Sequence, residues 1–478
     1  MGNVEFDYLI VGAGIVGANV FSALARTGHS VALVDKAYDV ATGASKANSG
    51  LVHAGFDPIP GTNKARLNRI GNIMYPGEAK RLGLKIKRTG AYVVGNDKTA
   101  LEELYKRGHE NLIDGLELLD EKALHSKIKN LSPDIKYGLF AKNAYIVSPY
   151  MFTICLTEEG IVNGGQVLLG YQIKSVKREK DGYVLTNGKT SIKTKFIINA
   201  AGAGYNDVAK LIGAEEYPLE FRRGEYYVLD SSEKDLVAAT VFPLPTQKGK
   251  GVLVTPTIDG NILVGPNSEI SDTCTKTTKF GLDDIKNKAE TLISGINFRK
   301  TIRIFSGIRT ISGIDFIIEK SKTQPNVINI AGICSPGLSS APAIALDVLK
   351  MLNLELNYKK AKQIKPYFVM NDLSEVEQNN MIKQDPRYGK IVCKCENVSE
   401  GEIVEALHRP LKVYSTDGIK RRTRAGMGRC QSGFCLNRVI ELIARENGIS
   451  LFDVVKENEG SNILLSNVKE ARKWLMLL

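Results

Sequence analysis

Four cysteines near the C-terminal end of the chain have the spacing of metal ligands. Cys393 and Cys395 form a C-x-C pair, and Cys430 and Cys435 form a C-x4-C pair, with 34 residues between the pairs. In a cytosolic protein such a local cluster indicates a metal site more than a disulfide framework. Four thiolates suit zinc or an iron–sulfur cluster, although structural zinc more often uses C-x2-C pairs and plant-type ferredoxin spacing also differs. The spacing alone leaves both metals open.

A glycine-rich motif at the opposite end predicts a nucleotide site. Gly12, Gly14 and Gly17 form G-x-G-x-x-G directly after an apolar strand and at the start of a helix. The three glycines permit a tight turn, close approach of the backbone to a diphosphate, and close packing of the helix on the strand. The diphosphate would lie at the positive end of the helix. Asp35 closes the second strand, where an acid can accept a hydrogen bond from a ribose hydroxyl. The motif does not distinguish FAD from NAD.

A later segment of the chain favours FAD. The sequence "VINIAGICSPGLSSAPAIALDVLKML" is an apolar strand, a glycine-containing turn and a helix. Backbone N–H groups at the start of such a helix can face a flavin ring, where negative charge develops on reduction. This arrangement is typical of flavoproteins more than of simple dehydrogenases.

If the flavin oxidises an alcohol, a base must take the hydroxyl proton while hydride passes to the flavin. Histidine suits this role because its unperturbed pKa lies near neutrality. Of the five histidines, His53 stands in "NSGLVHAG", a loop expected beside the nucleotide, and the other four lie in helix-like or surface-like stretches. His53 is therefore the candidate catalytic base, although its residue type and position alone leave that role open.

An anionic substrate also needs cations opposite its charge. Arg309 in "SGIRT" and Arg223 in "FRRGEYY" are the leading candidates, because a guanidinium group binds carboxylate or phosphate oxygens in pairs. Lys248 and Lys250 in "QKGKGVLVTP" lie in a glycine-rich turn that could close over a substrate. We predict that Arg309 and Lys250 are catalytic and that Arg223, Lys248 and Tyr226 bind the substrate. For Tyr226, a packed aromatic on a strand is an equally good explanation.

The elements that must position these residues form repeated strand–turn–helix units and a second sheet. The first 35 residues predict a β-α-β unit, and "FIINAAGAGYNDVAKLIG" returns to the same pattern. Residues from about 220 to 266 alternate like a separate sheet, with "FRRGEYYVLD" and "GNILVGP" as its clearest strands. Helical periodicity runs from Lys64 to Leu82.

Composition argues against two classes of protein. The chain has no run of 18 apolar residues and its start lacks a signal peptide, so we expect a cytoplasmic protein without a transmembrane segment. The net charge of +12 is densest in "IKRRTRAGMGR", but no nucleic-acid-binding motif accompanies it. We therefore expect no nucleic-acid partner. Beyond a solvated surface, the charge suits a docking face for an acidic partner or a field that gathers anions.

Several motifs occur in the order in which a known family has them. They are "TGASKANSGLVHAG", "FRRGEYY", "PTIDGNILVGPN", "GIRT" and "AGICSPGLSSAPAIA". Together they resemble the FAD-dependent glycerol-3-phosphate / L-2-hydroxyglutarate dehydrogenase branch of the D-amino-acid-oxidase-like flavoproteins, over about residues 5–360. The text "CKCENVSEGEI" with "DGIKRRTRAGMGRCQSGFC" resembles the bacterioferritin-associated-ferredoxin-like [2Fe–2S] domain. The resemblance implies FAD and a [2Fe–2S] cluster as cofactors, with the four cysteines as metal ligands and structural zinc as the alternative.

The resemblance also implies individual site residues. It places the family's active-site histidine at His53 and a substrate-binding residue at Ser49. The residues that it implies for FAD binding are Gly12, Gly14, Ile15, Gly17, Asp35, Lys36, Thr42, Ser45, Asn48, Ser49, Gly50, Ile173, Ala201, Gly202, Gly307, Gly337, Leu338 and Ser339.

We therefore expect an α/β, Rossmann-like FAD-binding domain, an α+β antiparallel-sheet substrate domain and a small C-terminal iron–sulfur domain. The oxidoreductase is predicted at 1–360, with FAD bound by about 1–80, 145–215 and 325–360 and substrate by about 81–144 and 216–324. The remaining segments are a linker at 361–388, a [2Fe–2S]-binding domain at 389–446 and a helical tail at 447–478.

A flavin accepts two electrons as hydride, and a [2Fe–2S] cluster passes one at a time. A chain with both is expected to pass electrons to a protein acceptor, such as an NAD-linked flavoprotein, instead of to oxygen. We expect a dehydrogenase for a small anionic alcohol, and the surplus of cations favours sn-glycerol 3-phosphate, oxidised to dihydroxyacetone phosphate. The alternatives are an L-2-hydroxyglutarate dehydrogenase and a non-catalytic electron-transfer subunit, which would need neither a base nor cations for a substrate.

Overall fold

The computed structural model describes residues 4–245, 251–356 and 361–466, and the chain divides into two compact units. The first unit comprises Met1–Lys36 and Val40–Lys365, and the second comprises Ala37–Asp39 and Pro366–Leu478. None of the described helices is long and apolar enough to cross a membrane.

The elements of the first unit are, in chain order, β1 (Val4–Val11), α1 (Ile15–Ala25), β2 (Val31–Val34), β3 (Leu51–Val52), α2 (Asn63–Leu82), β4 (Ile86–Arg88), β5 (Ala91–Gly95), α3 (Lys98–Glu110), β6 (Leu116–Leu119), α4 (Glu121–Lys127), β7 (Tyr137–Ala141), β8 (Tyr145–Val147), α5 (Pro149–Val162), β9 (Gln166–Leu168), β10 (Ser175–Glu179), β11 (Gly182–Thr186), β12 (Ser191–Asn199), α6 (Tyr205–Ile212), β13 (Glu220–Leu229), β14 (Thr240–Pro243), β15 (Leu253–Pro256), β16 (Ile262–Gly265), β17 (Glu269–Ile270), α7 (Lys279–Glu290), β18 (Thr301–Ile311), β19 (Ile317–Lys320), β20 (Val327–Ala331) and α8 (Gly337–Met351). The second unit contains α9 (Glu375–Gln384), β21 (Ile391–Cys393), β22 (Val398–Ser399), α10 (Glu400–Leu407), α11 (Thr416–Thr423) and α12 (Leu436–Asn447).

The first sheet has eight strands and a parallel centre. Its path is β10-β11-β12-β1-β2-β9, and β20 pairs with both β12 and β19. The strands β9, β2, β1, β12 and β20 are parallel, and β10, β11 and β19 are antiparallel additions. The predicted β-α-β unit and the Rossmann-like domain are confirmed, because β1, α1 and β2 lie where the apolar pattern puts them.

The second sheet has nine strands and is almost entirely antiparallel. Its path is β17-β13-β16-β15-β14-β5-β7-β6, and β18 pairs with β13 along ten residues. The pair formed by β5 and β14 is parallel, which the expectation of an antiparallel sheet did not include. This sheet has its own core, around residues such as Val241, Val254 and Val264.

The second unit corrects two predictions about segments. Residues 361–388 were expected as a linker, but the second unit begins at Pro366 and includes α9. A capping box between Ser374 and Glu377 starts that helix. The helix was not predicted because its sequence is polar and shows no apolar periodicity. The predicted helical tail is also wrong over residues 448–466, because left-handed Gly448 ends α12 and only the 3-10 helix Leu451–Asp453 follows. Residues 467–478 lie outside the described part.

Candidate functional site

The glycine turn after β1 is fixed by two side chains that accept backbone hydrogen bonds. Oδ2 of Asp35 accepts the N–H of Ala13 at 2.7 Å, and Oγ of Ser45 accepts the N–H of Ile15 at 2.8 Å. At the N-cap, Gly14 makes no side-chain capping bond. N–H groups of the first turn of α1 therefore point towards an anion site.

The close packing of α1 requires glycine. A Cβ atom on Gly17 would lie 1.9 Å from the carbonyl oxygen of Gly12, so only glycine allows the helix to start this close to the turn. The Gly12 backbone in turn lies against Ala200 and Ala201, at the end of β12. The first residues of α1 and the segment after β12 thus meet at the carboxyl edge of the parallel strands, where dinucleotides bind in such folds.

A second helix also begins at an N-cap residue that forms no side-chain capping bond. Helix α8 begins at Gly337, and its N-cap, Pro336, forms no side-chain capping bond. Helices α1 and α8 pack against each other within the first unit. Two helix starts whose own N-cap residues form no capping bond, together with an acid after β2, fit the diphosphate, flavin ring and ribose of FAD.

The loop before β3 folds around the side chain of Asn48. Its Nδ2 donates to the carbonyl oxygens of Ala44 and Ser45 at 2.9 and 3.0 Å, and its Oδ1 accepts the N–H of Gly50 at 2.8 Å. Strand β18 lies directly on this loop, because a Cβ atom on Gly307 would be 2.2 Å from the carbonyl oxygen of Ala47. The loop is therefore preformed by its own polar groups.

The backbone of His53 is held from two sides. Its N–H donates to Oγ of Ser339 at 2.7 Å, and its carbonyl oxygen accepts from Nδ2 of Asn72 at 2.9 Å. The ring is buried, with the rings of Phe56 and Phe242 at 6.3 and 5.4 Å. A small cavity opens beside the imidazole, lined also by Asp57, Val93, Pro243 and Pro245. Asn72 carried no sequence motif, so it was not predicted.

Two arginines share one face of the second sheet. In the antiparallel pair of β13 and β18, Arg222 lies opposite Arg309, and Tyr226 lies opposite Phe305 with their rings 4.7 Å apart. Side chains of directly opposite residues point to the same face, and alternate residues of a strand do too. Arg222, Tyr226 and Arg309 therefore face the same side. Arg222 was not predicted as a site residue. Because alternate residues of a strand face the same side, its position four residues before Tyr226 could have placed it on this face.

Arg309 is a half-buried cation without a carboxylate partner among the described residues. Its Nη2 donates to the carbonyl oxygen of Asn267, and its Nε has no hydrogen-bond partner in the described part. Burial lowers the pKa of Arg309, and the nearby Tyr226 works against that shift. Burial also raises the pKa of Tyr226 to about 12, while Arg309 and the hydroxyl of Ser49 favour its ionised form. Ser49, Tyr226 and Arg309 thus lie together.

Arg223 faces the other side of the sheet and has acidic partners. Its Nη2 lies 3.0 Å from Glu269, and its Nε lies 3.4 Å from Glu225. The Glu225 carboxylate is fully buried and accepts hydrogen bonds from Thr278 and Asn267. The structure therefore does not bring Arg223 to the face of Arg309, because neighbouring residues of a strand point in opposite directions.

The other predicted residues lie as follows. Lys248 and Lys250 fall outside the described residues. Ile173 is buried in the core beside β1 and β2, Lys36 is exposed after β2, and Thr42 is half-buried. Ala201 and Gly202 follow the end of β12. Gly337, Leu338 and Ser339 form the start of α8.

The four cysteines of the second unit form two pairs. The thiols of Cys393 and Cys435 share a hydrogen bond, and so do those of Cys395 and Cys430. Over residues 4–245, 251–356 and 361–466, no three ligating side chains lie close enough to hold a single ion. Two thiol pairs fit a cluster with two irons, each of which takes two thiolates, better than one tetrahedral ion.

Backbone N–H groups surround these thiols. The N–H of Gly426 donates to Sγ of Cys393 at 3.4 Å, and N–H groups of Ser432 and Gly433 face Cys430. Hydrogen bonds from Cys435 and then from Gly426 lower the pKa of Cys393 to about 6, against the effect of burial. Such donors stabilise the negative charge of cluster sulfurs.

The basic segment before the second cysteine pair is largely neutralised. Arg421 and Arg422 are buried, and each lies 2.8 Å from the carboxylate of Asp39, within the second unit. Although burial works to raise it, the two guanidinium groups hold the pKa of Asp39 far below its usual range. Arg424 pairs with Glu396 at 2.7 Å. The expected basic docking face is therefore smaller than its sequence indicates.

The parallel sheet, the starts of α1 and α8 and the buried histidine define a flavin-dependent oxidoreductase. Residues 7–351 match the family described as FAD dependent oxidoreductase, and the chain belongs to that family. Residues 391–445 match the BFD-like [2Fe-2S] binding domain. The cofactors of the chain are FAD and a [2Fe–2S] cluster, and it is an enzyme that acts on a CH–OH group.

Proteins similar to this chain include dehydrogenases and an oxidase. A glycerol 3-phosphate dehydrogenase from Caloramator mitchellensis is 39% identical over 97% of this chain and 99% of its own length. The structure of dithionite-reduced L-alpha-glycerophosphate oxidase from Mycoplasma pneumoniae with FAD bound is 30% identical, with a TM-score of 0.73, over 76% of this chain and 100% of that one. A mitochondrial L-2-hydroxyglutarate dehydrogenase from Bos taurus is 28% identical over 55% of this chain and 61% of its own.

The two neighbouring arginines of β13 are expected to respond differently to substitution. Arg222→Leu removes a cation from the face of Arg309, and we expect KM to rise about 10- to 100-fold, since hydrogen bonds to charged groups contribute about 1.5–3 kcal/mol. Arg223→Leu leaves the buried Glu225 without a cation, and we expect a loss of about 3–5 kcal/mol in the free energy of unfolding with KM little changed. Steady-state kinetics and urea unfolding of both variants measure this contrast. Equal effects on KM would contradict the assignment of faces.

Proposed function

We propose that this enzyme is a glycerol-3-phosphate dehydrogenase that oxidises sn-glycerol 3-phosphate to dihydroxyacetone phosphate. The observation that carries the proposal is the pair formed by Arg222 and Arg309 on the face of Tyr226. Like charges directly opposite on a sheet destabilise it. Arg222 pairs with Glu220, but the half-buried Arg309 has no acidic partner among the described residues. A phosphate bound at Arg309 supplies the missing negative charge and several acceptor oxygens. The 39% identical glycerol 3-phosphate dehydrogenase supports the same substrate.

In this mechanism each residue has one task. Arg309 and Arg222 hold the phosphate, with Ser49 and Tyr226 beside them and Lys248 and Lys250 as further predicted cations. FAD, when bound, accepts hydride from the carbon that carries the hydroxyl group. His53 takes the hydroxyl proton, and its fixed backbone keeps the imidazole at the cavity.

The FAD contacts that we propose follow the structure. The start of α1 and Ser45 hold the diphosphate end, and Asp35 bonds the ribose. The start of α8 and the loop ordered by Asn48 face the flavin ring. The remaining residues that the family resemblance implies for FAD binding, between Gly12 and Ser339, complete the proposed site.

We further propose that Cys393, Cys395, Cys430 and Cys435 hold the [2Fe–2S] cluster, which passes electrons to a protein acceptor. The comparison with relatives supports this outlet. The Mycoplasma oxidase is matched over its whole length by 76% of this chain, whereas the Caloramator dehydrogenase is matched by 97%. The Caloramator dehydrogenase thus shares a part of this chain that the Mycoplasma oxidase lacks.

Anaerobic reduction of the bound flavin tests the substrate. We expect sn-glycerol 3-phosphate to bleach the flavin absorbance in a stopped-flow experiment, because the two guanidinium groups match a dianionic phosphate. L-2-hydroxyglutarate serves as the dianionic comparison and glycerol as the uncharged one. Faster flavin reduction by L-2-hydroxyglutarate would make that compound the substrate instead of sn-glycerol 3-phosphate. If none of the three compounds reduced the flavin, the result would favour an electron-transfer subunit.

Removal of the proposed base gives a second test. His53→Ala is expected to lower the rate of flavin reduction by about 10²- to 10⁴-fold with FAD content unchanged, because general-base catalysis contributes that much. His109→Ala is the matched control, since the exposed His109 meets the ring of Tyr105 edge-on in α3. A variant at residue 53 that reduces flavin at the parental rate excludes the histidine from catalysis.

The cluster ligands are tested by metal analysis. We expect two irons and acid-labile sulfide per chain, and Cys430→Ser should abolish both while FAD stays bound, because the flavin site uses residues of the first unit. Cys274→Ser is the control, since Cys274 is a half-exposed cysteine of the first unit. Stoichiometric zinc without sulfide in anaerobically prepared protein would contradict the cluster.

A further inference from the structure

An exposed aromatic side chain lies between the second pair of cysteines. Phe434 is 88% exposed and directly precedes Cys435. Among the described large apolar side chains, only Leu465 is equally exposed. Aromatic residues at the centre of protein interfaces often contribute most of the binding energy.

The two thiol pairs differ in depth beneath this surface. Cys393 and Cys435 are 1% and 3% exposed, whereas Cys395 is exposed and Cys430 is half-buried. An electron leaves a cluster most easily where the path to the partner is shortest. The outer pair, Cys395 and Cys430, is therefore the side of the cluster that faces an acceptor.

The rim of the outer pair is positively charged. Lys394 and Arg429 are both exposed, and each is adjacent in sequence to one of the outer cysteines. The two segments meet in space, because a Cβ atom on Gly428 would lie 2.4 Å from Cβ of Cys395. The nearby acid, Glu396, is paired with Arg424, and Lys394 forms no ion pair with any residue described.

We propose that Phe434, Lys394 and Arg429 form the docking surface for an acidic electron-transfer protein. This surface deepens the proposed function, because it names the kind of partner that receives the electrons. Phe434 supplies the apolar contact, and the two cations select a partner whose redox centre is surrounded by acidic side chains. One electron leaves the reduced cluster and reduces the acceptor by one equivalent.

Binding of the oxidised full-length protein to oxidised flavodoxin, an acidic one-electron carrier, tests this surface without any turnover. Phe434→Ala is expected to raise the dissociation constant about tenfold, as loss of a central aromatic does. Lys394→Glu is expected to raise it about fivefold at low salt and to flatten its salt dependence, because screening acts on the charge contribution. All proteins are compared at equal iron and sulfide content.

Two variants of the first unit are matched controls. Phe280→Ala removes a 78% exposed phenylalanine of α7, and Lys189→Glu reverses an exposed lysine in the turn between β11 and β12. Both are expected to bind within twofold of the parent. Photoreduced protein mixed with flavodoxin should give electron-transfer rates that follow the same order.

Three outcomes overturn the proposal. They are parental affinity in both Phe434→Ala and Lys394→Glu, no binding of flavodoxin to the parent at low salt, and tighter binding of the basic carrier cytochrome c. None of these measurements uses the alcohol substrate. A failure of glycerol 3-phosphate to bleach the flavin therefore refutes the proposed substrate and leaves the docking surface standing.

Discussion

The hydrogen bond from the His53 N–H to Oγ of Ser339 joins residues 286 positions apart, and the proposed active site depends on it. It fixes the histidine loop to the first turn of α8, and Asn72 fixes the same peptide to α2. The imidazole, the loop ordered by Asn48 and the flavin-facing helix start are therefore held as one rigid group. Such preorganisation would keep the His53 imidazole, the proposed base, within reach of the substrate hydroxyl proton, so that the site need not rearrange during the reaction.

The second sheet prepares the proposed anion site by leaving a cation without an acidic partner, which costs stability locally. The sheet puts Arg222 opposite Arg309. On β13 both arginines have acidic partners, because Arg222 pairs with Glu220 and Arg223 pairs with Glu225. The half-buried Arg309 on β18 has no acidic partner among the described residues. A binding site needs this imbalance, because a cation already neutralised by the protein has little attraction left for a substrate.

The sequence predicted those features that depend on local pattern. Strand β1, helix α1 and helix α2, found at Asn63–Leu82, follow from hydrophobic periodicity, and the cysteine module follows from its motif. The sequence did not show that Arg222, and not Arg223, lies on the face of Arg309, because a one-residue register cannot be read without the partner strand. Asn72 has no motif, and α9 has a polar sequence without an apolar face, so neither was visible. The pairing of Arg422 with Asp39 spans 383 positions, which no local pattern encodes.

The membership of residues 37–39 in the second unit has a consequence for how this iron–sulfur module can be inherited. Its buried Arg421 and Arg422 share a carboxylate that the chain supplies immediately after the second strand of the nucleotide-binding fold. A gene fragment cut at the boundary of the C-terminal segment would encode both guanidinium groups and lose Asp39. A fusion that moved this module to another enzyme would therefore have to bring or rebuild this acid.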